Sequence, residues 1–272
     1  MSEESVILVT GLEPATVDSL AENFAQLGVE PGMTLLVHAS LSALGWVCGG
    51  PTAVILALER VLGEDGTLVM PAHSGDLSEP SLWQEPPVPE AWWPVIRDSM
   101  PAYQPEFTPT RGMGVIAETF RKQPGVRRSV HPQVSFTARG RHAQAVTEGH
   151  CLDFGLGEGS PLARLYEHDA WVLLLGVGHD SNTSIHLAEY RAVYPGKRAI
   201  QNGAPILRNG VREWTRFEDL ALDTQDFVAL GSAFEHETGR TCSGRVAQCT
   251  TGLMPQRALV DFATAWLEKT RG

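Results

Sequence analysis

Apolar runs and segments of helical periodicity alternate along the first quarter of the chain. The stretch PGMTLLVHAS (31–40) predicts a turn and then a short strand that is buried on both faces. The next stretch, GGPTAVILALERVLGEDG (49–66), predicts a helix with Pro51 near its first turn, and TLVMPA (67–72) predicts a second buried strand. Strand, helix and strand at this spacing predict a βαβ unit with parallel strands and a right-handed crossover.

Similar patterns continue to the end of the sequence, and no internal repeat or linker divides it. We therefore predict one α/β domain over 1–272, with a mostly parallel central sheet flanked by helices. The further predicted elements are helices over 16–28, 114–126, 141–150, 160–169 and 256–269, and strands over 134–140, 171–178 and 210–219.

Residues 74–112 interrupt this alternation with many prolines and several large aromatic residues. A connection of this length without periodicity is usually a functional loop or a disordered linker, and the aromatic residues argue against disorder. We predict a substrate loop that covers the carboxyl ends of the strands, where open α/β sheets bind ligands. The alternative is a loop that only packs against the core. The aromatic residues are Trp83, Trp92, Trp93, Tyr103 and Phe107.

The charge of the chain points away from nucleic acid. The 272 residues are 43% hydrophobic, which is ample for a core, and they carry a formal net charge of −11. The 21 Lys and Arg residues are scattered, so no nucleic-acid-binding face is predicted. Two acidic clusters either attract a small polycation or are ordinary solvated surface. They are Asp76, Glu79, Glu85, Glu90, Asp98 and Glu106, and Glu213, Glu218, Asp219, Asp223 and Asp226.

The N-terminal stretch MSEESVILVT has neither a basic region nor a long apolar core, so no signal peptide is predicted. No segment reaches the roughly 20 apolar residues of a membrane span. The four cysteines form no C-x-x-C pair, which argues against a structural zinc site. A cytoplasmic protein with reduced thiols is expected.

The stretch SNTSIHLAEY (181–190) holds the strongest candidate for acid–base chemistry. It follows the apolar strand over 171–178 and predicts a helix that begins at the carboxyl end of that strand. His186 and Glu189 are three positions apart and would lie on one face of this helix. The position suits a general base, and the alternative is an interior histidine whose ring nitrogens are satisfied.

Polar residues also follow the first predicted strand. The stretch VHASLSALG places His38, Ser40 and Ser42 at the end of that strand, shortly before a helix N-terminus. Free N–H groups at such a terminus can hold an anion or polarise a carbonyl group. The GK[ST] ending of a P-loop is absent from the sequence, so the signal for a nucleotide is weak.

The stretch RRSVHPQVSF offers a second group of polar candidates. Arg128 and Ser129 precede His131, and this arrangement fits either a phosphate site or a surface turn. Histidines near strand ends also raise the possibility of a zinc site, but no H-E-x-x-H motif is present, so no metal is predicted. These histidines are His38, His73, His131, His179 and His186.

Five segments occur in a distinctive order: LLVHASLSALGWVCGG, GTLVMPAHSG, RRSVHPQVSFTARG, GEGSPLARL and VLLLGVGHDSNTSIHLAEY. In this order and spacing they resemble the aminoglycoside 3-N-acetyltransferases, the antibiotic N-acetyltransferase family, over about 15–195. The resemblance implies an α/β fold distinct from that of the GNAT acetyltransferases, with acetyl-coenzyme A as the acetyl donor. It implies an acceptor amine on the central ring of an aminoglycoside, at its 3-amino group, and hence resistance to the antibiotic.

The resemblance also implies roles for single residues. His186 is the expected catalytic residue, and Glu218, in the stretch RFED, is the carboxylate expected to act with it. A neutral imidazole can take the proton that the acceptor amine must lose, and a carboxylate on its other nitrogen fixes the tautomer. We expect the cationic acceptor to be bound by Asp76, Glu189 and Asp219. We expect coenzyme A to be bound by His38, Ser40, Ser42, Arg128, Ser129 and His131.

Three alternatives remain open at this stage. In the first, the acetyl group passes to a different amine, because specificity is decided in variable loops. In the second, the histidines serve a zinc-dependent amidohydrolase, and in the third, the protein binds cationic sugars without turnover. The sequence fixes neither the range of aminoglycosides nor whether the protein is a monomer or a homodimer.

Overall fold

The computed structural model describes residues 6–8, 10 and 13–272. Its helices are α1 (Val17–Leu27), α2 (Gly50–Leu62), α3 (Trp93–Ser99), α4 (Gly114–Phe120), α5 (Ala143–Thr147), α6 (Pro161–Glu167), α7 (Ser184–Arg191), α8 (Phe227–Thr238) and α9 (Gln256–Thr270). Its strands are β1 (Thr34–Ala39), β2 (Thr67–Pro71), β3 (Arg127–Arg128), β4 (Phe136–Gly140), β5 (Trp171–Leu175), β6 (Ala199–Arg208), β7 (Val211–Leu220), β8 (Cys242–Val246) and β9 (Cys249–Pro255).

The predicted βαβ unit lies at the centre of a seven-stranded sheet with the order β3-β4-β2-β1-β5-β9-β8. Strand β1 is parallel to both β2 and β5, and the remaining pairs are antiparallel. Strands β3, β2, β1, β5 and β8 therefore run one way, and β4 and β9 run the other. The predicted α/β fold is confirmed, with five of the seven strands of the central sheet in one direction; parallel pairing itself is confined to β2, β1 and β5.

Helices cover both faces of this sheet because the central strands are apolar on both sides. In β1, Leu35 packs with one cluster, which includes Leu20 of α1 and Leu58 of α2. The next residue, Leu36, packs with the opposite cluster, which includes Leu162 of α6 and Leu259 of α9. Alternation along the strand thus produces two cores from one continuous apolar run.

Strands β6 and β7 form a second, two-stranded sheet, and neither strand pairs with a strand of the main sheet. The sequence predicted only β7 of this pair. It also left β3, β8, β9 and the helices α3 and α8 without a prediction. The predicted helix over 114–126 ends earlier, at Phe120, before the turn that contains Pro124 and Gly125.

Within the described residues, no helix is long and apolar enough to cross a membrane. The prediction about a signal peptide concerns residues 1–10, which lie largely outside the described residues.

Candidate active site

His186 lies in the first turn of α7, at the carboxyl edge of the parallel strands, as the sequence predicted. Asn182 lies just before this helix, and its side-chain oxygen accepts a hydrogen bond from the N–H of Ser184, the first helical residue, at 3.2 Å. The hydroxyl of the next residue, Thr183, lies 3.3 Å from the Nε2 atom of His38. The helix start therefore joins the end of β1 to the turn that carries His186.

The nearest partner of His186 is Glu189, one helical turn further on. The His186 Nδ1 atom lies 2.6 Å from the Oε2 atom of Glu189, whose side chain is 0% exposed. The other carboxylate oxygen, Oε1, accepts hydrogen bonds from the Arg271 guanidinium at 2.8 Å and from the backbone N–H of Asp223 at 3.0 Å. Each oxygen of Glu189 therefore has a fixed partner, and the imidazole has one defined orientation.

Two further histidines surround His186. His38 is buried at the end of β1, and burial first, then the proximity of His186, lowers its pKa to about 3. Burial also lowers the pKa of His73 to about 3, helped by the proximity of His186 and His38. The Nε2 atom of His73 is buried and has no hydrogen-bond partner within the described part of the chain. Both rings are thus neutral at pH 7 and add no positive charge beside His186.

A cavity of about 830 Å³ adjoins this cluster and is formed by the ends of β1 and β2, the start of α2 and the segment before α4. His38 lines it, together with the predicted coenzyme residues Ser40 and Ser42. Its volume lies in the range of sites for cofactors and other small molecules. The residues that line it include Gly45, Gly50, Gly112, Gly114, Asp180 and Thr183.

The similarity of the chain to known proteins agrees with this geometry. The sequence model described as aminoglycoside 3-N-acetyltransferase matches residues 36–268. The chain is 48% identical to the SPbeta prophage-derived aminoglycoside N(3')-acetyltransferase-like protein YokD of Bacillus subtilis (strain 168), over 93% of this chain and 92% of that protein. This chain belongs to the aminoglycoside 3-N-acetyltransferase family.

Two further members of the family agree with this assignment. The chain is 36% identical to aminoglycoside N(3)-acetyltransferase VII of Streptomyces paromomycinus, over 99% of this chain and 97% of that protein. The solved structure of AAC-IIIb with CoASH matches with a TM-score of 0.86 at 32% identity, over 96% of this chain and 98% of that one. The predicted fold and family are thereby confirmed.

The family pattern had suggested Glu218 as the partner of His186, and the structure does not bring these two residues together. Residues alternate along β7, so Phe217 and Asp219 face inward and Glu218 is exposed. The backbone N–H of Glu218 donates to Asp153, at 2.8 Å. The place beside His186 that was expected for Glu218 is occupied by Glu189.

Of the three acidic residues predicted to bind the acceptor, Glu189 and Asp219 are buried. Glu189 is enclosed behind His186, where no atom of its carboxylate is exposed for a substrate. Asp219 is 8% exposed and accepts hydrogen bonds from the Tyr190 hydroxyl and the N–H of Leu220. Burial raises the pKa of Asp219 above its ordinary value. Both residues therefore belong to the supporting structure around His186.

The predicted phosphate site at Arg128 to His131 is a structural cluster instead. His131 is 1% exposed; its Nδ1 atom accepts backbone hydrogen bonds from Gln133 and Val134, and its Nε2 atom lies 3.1 Å from the Leu152 carbonyl. Ser129 is 0% exposed and its hydroxyl accepts a hydrogen bond from the N–H of Phe136. These atoms are already satisfied, so coenzyme A would have to displace internal hydrogen bonds to reach them.

The Arg128 guanidinium holds the loop over 74–112 against the sheet. It donates to the carbonyl oxygens of Ala72, Pro105 and Thr108 and to the hydroxyl of Ser135. Tyr103, within the loop, is buried and donates from its hydroxyl to the Ser129 carbonyl at 2.8 Å. The loop is therefore ordered by specific hydrogen bonds.

We expect Arg128→Leu to lower the stability of the protein by about 3 kcal/mol, because several buried carbonyl oxygens lose a charged donor. Thermal unfolding of the variant and the wild type measures this loss. The KM for acetyl-coenzyme A should stay within a factor of two of the wild-type value in protein that remains folded. A tenfold rise in that KM with unchanged stability would instead indicate that Arg128 binds the coenzyme.

Exposed side chains on the same loop remain available to a ligand. Asp76 is exposed and forms an ion pair with Arg111 at 3.1 Å, so a cationic acceptor would compete with that arginine. Trp92 is 58% exposed and Phe107 is 79% exposed, in contrast to buried Tyr103. Of the five aromatic residues of the loop, Tyr103 therefore fixes it, Trp92 and Phe107 face outward, and Trp83 and Trp93 are half-buried.

Four buried histidines make stability depend on pH. Burial is the largest cause that lowers the pKa of His38 and His73 to about 3, of His131 to about 4, and of His150 well below its ordinary value. In the unfolded chain these rings bind protons below about pH 6.5, whereas in the folded protein they do not. Their contribution is therefore complete above pH 6.5 and is lost as the pH falls toward 4.

We expect urea unfolding to show a loss of about 1 kcal/mol for each of these four histidines between pH 7.5 and pH 5.5. The same preparation measured at both pH values supplies the comparison, with the slope of the transition as a check on two-state behaviour. Equal free energies of unfolding at the two pH values would contradict the prediction.

The structure adds Arg271, Asp226 and Phe227 to the site; the sequence indicated neither Arg271 nor Phe227, and it named Asp226 only as part of an acidic cluster. Arg271 follows α9 and reaches Glu189, while Asp226 holds the same guanidinium. Phe227, the first residue of α8, packs against the His186 ring with 4.9 Å between ring centroids. Within the described part of the chain, no group of three or more His, Cys, Asp or Glu residues is placed to hold a metal ion.

Proposed function

We propose that this protein transfers the acetyl group of acetyl-coenzyme A to the 3-amino group of an aminoglycoside and thereby inactivates the antibiotic. The observation that carries the proposal is the His186–Glu189 pair at the carboxyl edge of the sheet, close to His38, which lines a cavity of about 830 Å³. Family membership supports the choice of donor and acceptor, since the relative from Streptomyces paromomycinus is named as an aminoglycoside N(3)-acetyltransferase.

His186 acts as the general base in this proposal. Glu189 holds the Nδ1 atom, so the proton of the neutral ring resides there and the lone pair of Nε2 is free. Nε2 accepts the proton that the acceptor amine loses as it attacks. Glu189 is a positioning residue, because its buried carboxylate fixes the tautomer and stabilises the imidazolium that forms.

The cavity beside β1 fits the donor in size and in chemistry. Its glycines allow a chain-like ligand to approach the backbone closely, and its lining includes the hydroxyl groups of Ser40, Ser42 and Thr183. When bound, acetyl-coenzyme A supplies an acetyl group activated as a thioester. We assign Ser40 and Ser42 to the donor, by hydrogen bonds to its pantetheine arm or to the thioester oxygen.

The acceptor is proposed to lie on the loop side of His186. A net charge of −11 favours the approach of a small polycation over that of an anion. Exposed Asp76 offers a carboxylate to the amino sugars, and Trp92 and Phe107 offer apolar faces. The proposed location is the cytoplasm, where acetyl-coenzyme A is available.

The deciding experiment is a thiol-release assay. Purified protein is mixed with acetyl-coenzyme A and a panel of aminoglycosides, and free coenzyme A is followed with a thiol reagent. We expect release that requires both substrates, and NMR of the product should place the new amide on the 3-amino group. A matched acceptor that is already acetylated at this position should release no thiol.

The other outcomes separate the alternatives. Release with simple amines but not with aminoglycosides would indicate a different acceptor. Saturable binding of aminoglycosides without release would indicate a binding protein. Hydrolytic activity that is lost on treatment with a chelator would indicate a zinc enzyme.

A further inference from the structure

Arg271 is the most heavily bonded cation near the proposed catalytic pair. Its guanidinium donates to Oε1 of Glu189 at 2.8 Å, to both carboxylate oxygens of Asp226 at 2.6 and 2.8 Å, and to the Asp223 carbonyl at 2.6 Å. It also donates to the Tyr194 hydroxyl at 3.2 Å and lies over the Tyr194 ring. The side chain is only 13% exposed, so these contacts fix it in one position.

The contacts of Arg271 form a line of alternating charge that ends at His186. Asp226 pairs with Arg271, Arg271 pairs with Glu189, and Glu189 bonds to His186. Burial alone would lower the pKa of the Arg271 guanidinium, but its hydrogen bonds to Asp226, Glu189 and Tyr194 raise that pKa above its ordinary value. The guanidinium therefore stays charged at every pH at which the protein is folded.

We propose that Arg271 is a positioning residue that acts through Glu189 to set both the orientation and the proton affinity of His186. This inference rests on the proposed role of His186 as the base. Arg271 occupies Oε1 of Glu189, so Oε2 is presented to the imidazole. Its positive charge also offsets that of the carboxylate, so His186 can be neutral, and hence a base, at lower pH than beside an uncompensated carboxylate.

Other charged and titratable groups also face this pair. The electrostatic partners of His186 include the neutral rings of His38 and His73, and the buried carboxylate of Asp219. The partners of Glu189 include Tyr190 and Lys197, whose ammonium is held by the carbonyl oxygens of Tyr190 and Ala192. Arg271 differs from these groups because its side chain donates a direct hydrogen bond to the carboxylate that orients the base.

The test measures the pH dependence of kcat for the wild type and for the variants Arg271→Met, Arg271→Lys and Arg271→Ala. In Arg271→Met the acid limb of the profile should move to higher pH by about one unit, because one full charge has left the neighbourhood of the pair. Arg271→Lys should restore part of the shift, since it keeps the charge without the planar donor geometry. Guanidinium chloride, far below denaturing concentrations, should move the limb of Arg271→Ala back toward that of the wild type, whereas sodium chloride should not.

Two further variants separate positioning from stability. Arg257→Met removes an arginine of α9 that pairs with Asp169, away from His186, and should leave the profile unchanged. In a Glu189→Ala background, Arg271→Met should cause no further shift in the protonation midpoint of His186, because the side chain that joins Arg271 to His186 is absent. A full additional shift in that background, or an unchanged limb in folded Arg271→Met, would overturn the proposal.

An NMR titration of the His186 ring gives a readout that does not depend on acetyl transfer. The protonation midpoint of His186 should rise in Arg271→Met relative to the wild type, even if no aminoglycoside is acetylated. A raised midpoint without thiol release would therefore support the coupling while contradicting the proposed function. An unchanged midpoint with normal release would contradict the coupling alone.

Discussion

Replacement of His186 by alanine is expected to lower kcat for acetyl transfer by about 10³-fold, within the range that general-base catalysis contributes. The acceptor is an ammonium ion at neutral pH, and it cannot attack a thioester until it loses a proton. Without the imidazole, the Nε2 site that takes this proton is absent, and Glu189 is too deeply buried to replace it. The KM for acetyl-coenzyme A should change little, because the cavity is lined by other residues.

Steady-state thiol release with saturating donor measures this loss, and two variants control it. His186→Gln keeps a polar side chain of similar length and should lose as much activity, because an amide is not a base at neutral pH. His236→Ala removes an exposed histidine near the end of α8 and should behave as the wild type. If folded His186→Ala keeps more than a tenth of the wild-type kcat, His186 is not the base.

The centre of the fold could be predicted because its signals are local. The apolar runs of β1, β2 and β5 and the glycine that ends α2 lie within short stretches, and each agrees with the structure. His186 could be placed for the same reason, since a helix that follows a central parallel strand begins at the ligand-binding edge. Local patterning, strand parity and the rules for parallel sheets were sufficient there.

Strand parity could also have corrected the assignment of Glu218. Phe217 is apolar and must face inward, so the next residue of an extended strand faces outward. The family pattern supplied a nearby carboxylate, whereas the helical spacing of three between His186 and Glu189 supplied the one that the structure uses. The sequence therefore contained the spacing that places Glu189 beside His186, although Glu218 was the carboxylate predicted there.

Other parts of the site carry no local signal. Arg271 lies 82 positions from Glu189 along the chain, and no spacing rule connects them. Helix α8 contains Gly231, which weakens its helical pattern. The structure needs that glycine, because a side chain at this position would collide with the ring of His179. Only the packed fold shows why the weak helix former is required.

Glu189→Gln is expected to lower kcat by about 10²-fold or more, although the two side chains have the same shape. The Oε1 position accepts hydrogen bonds from Arg271 and from the N–H of Asp223, so the amide oxygen of the glutamine must occupy it. The amide NH₂ group then takes the Oε2 position and donates to Nδ1 of His186. This forces the ring proton onto Nε2, and the tautomer that results cannot accept a proton from the amine.

Kinetics and spectroscopy can each detect this change in the tautomer of His186. The kcat of Glu189→Gln should fall while the KM for acetyl-coenzyme A stays near the wild-type value, and ¹⁵N NMR of the His186 ring should show the proton moved from Nδ1 to Nε2. Glu158→Gln, which changes an exposed carboxylate paired with Arg191, is the matched control and should alter neither quantity. A normal kcat in Glu189→Gln would mean that the tautomer of His186 is not set by this carboxylate. The base would then have to be oriented by another neighbour. The side chain of Phe227 has no polar atom and can only pack against the ring, and the Nε2 atom of His38 already contacts Thr183.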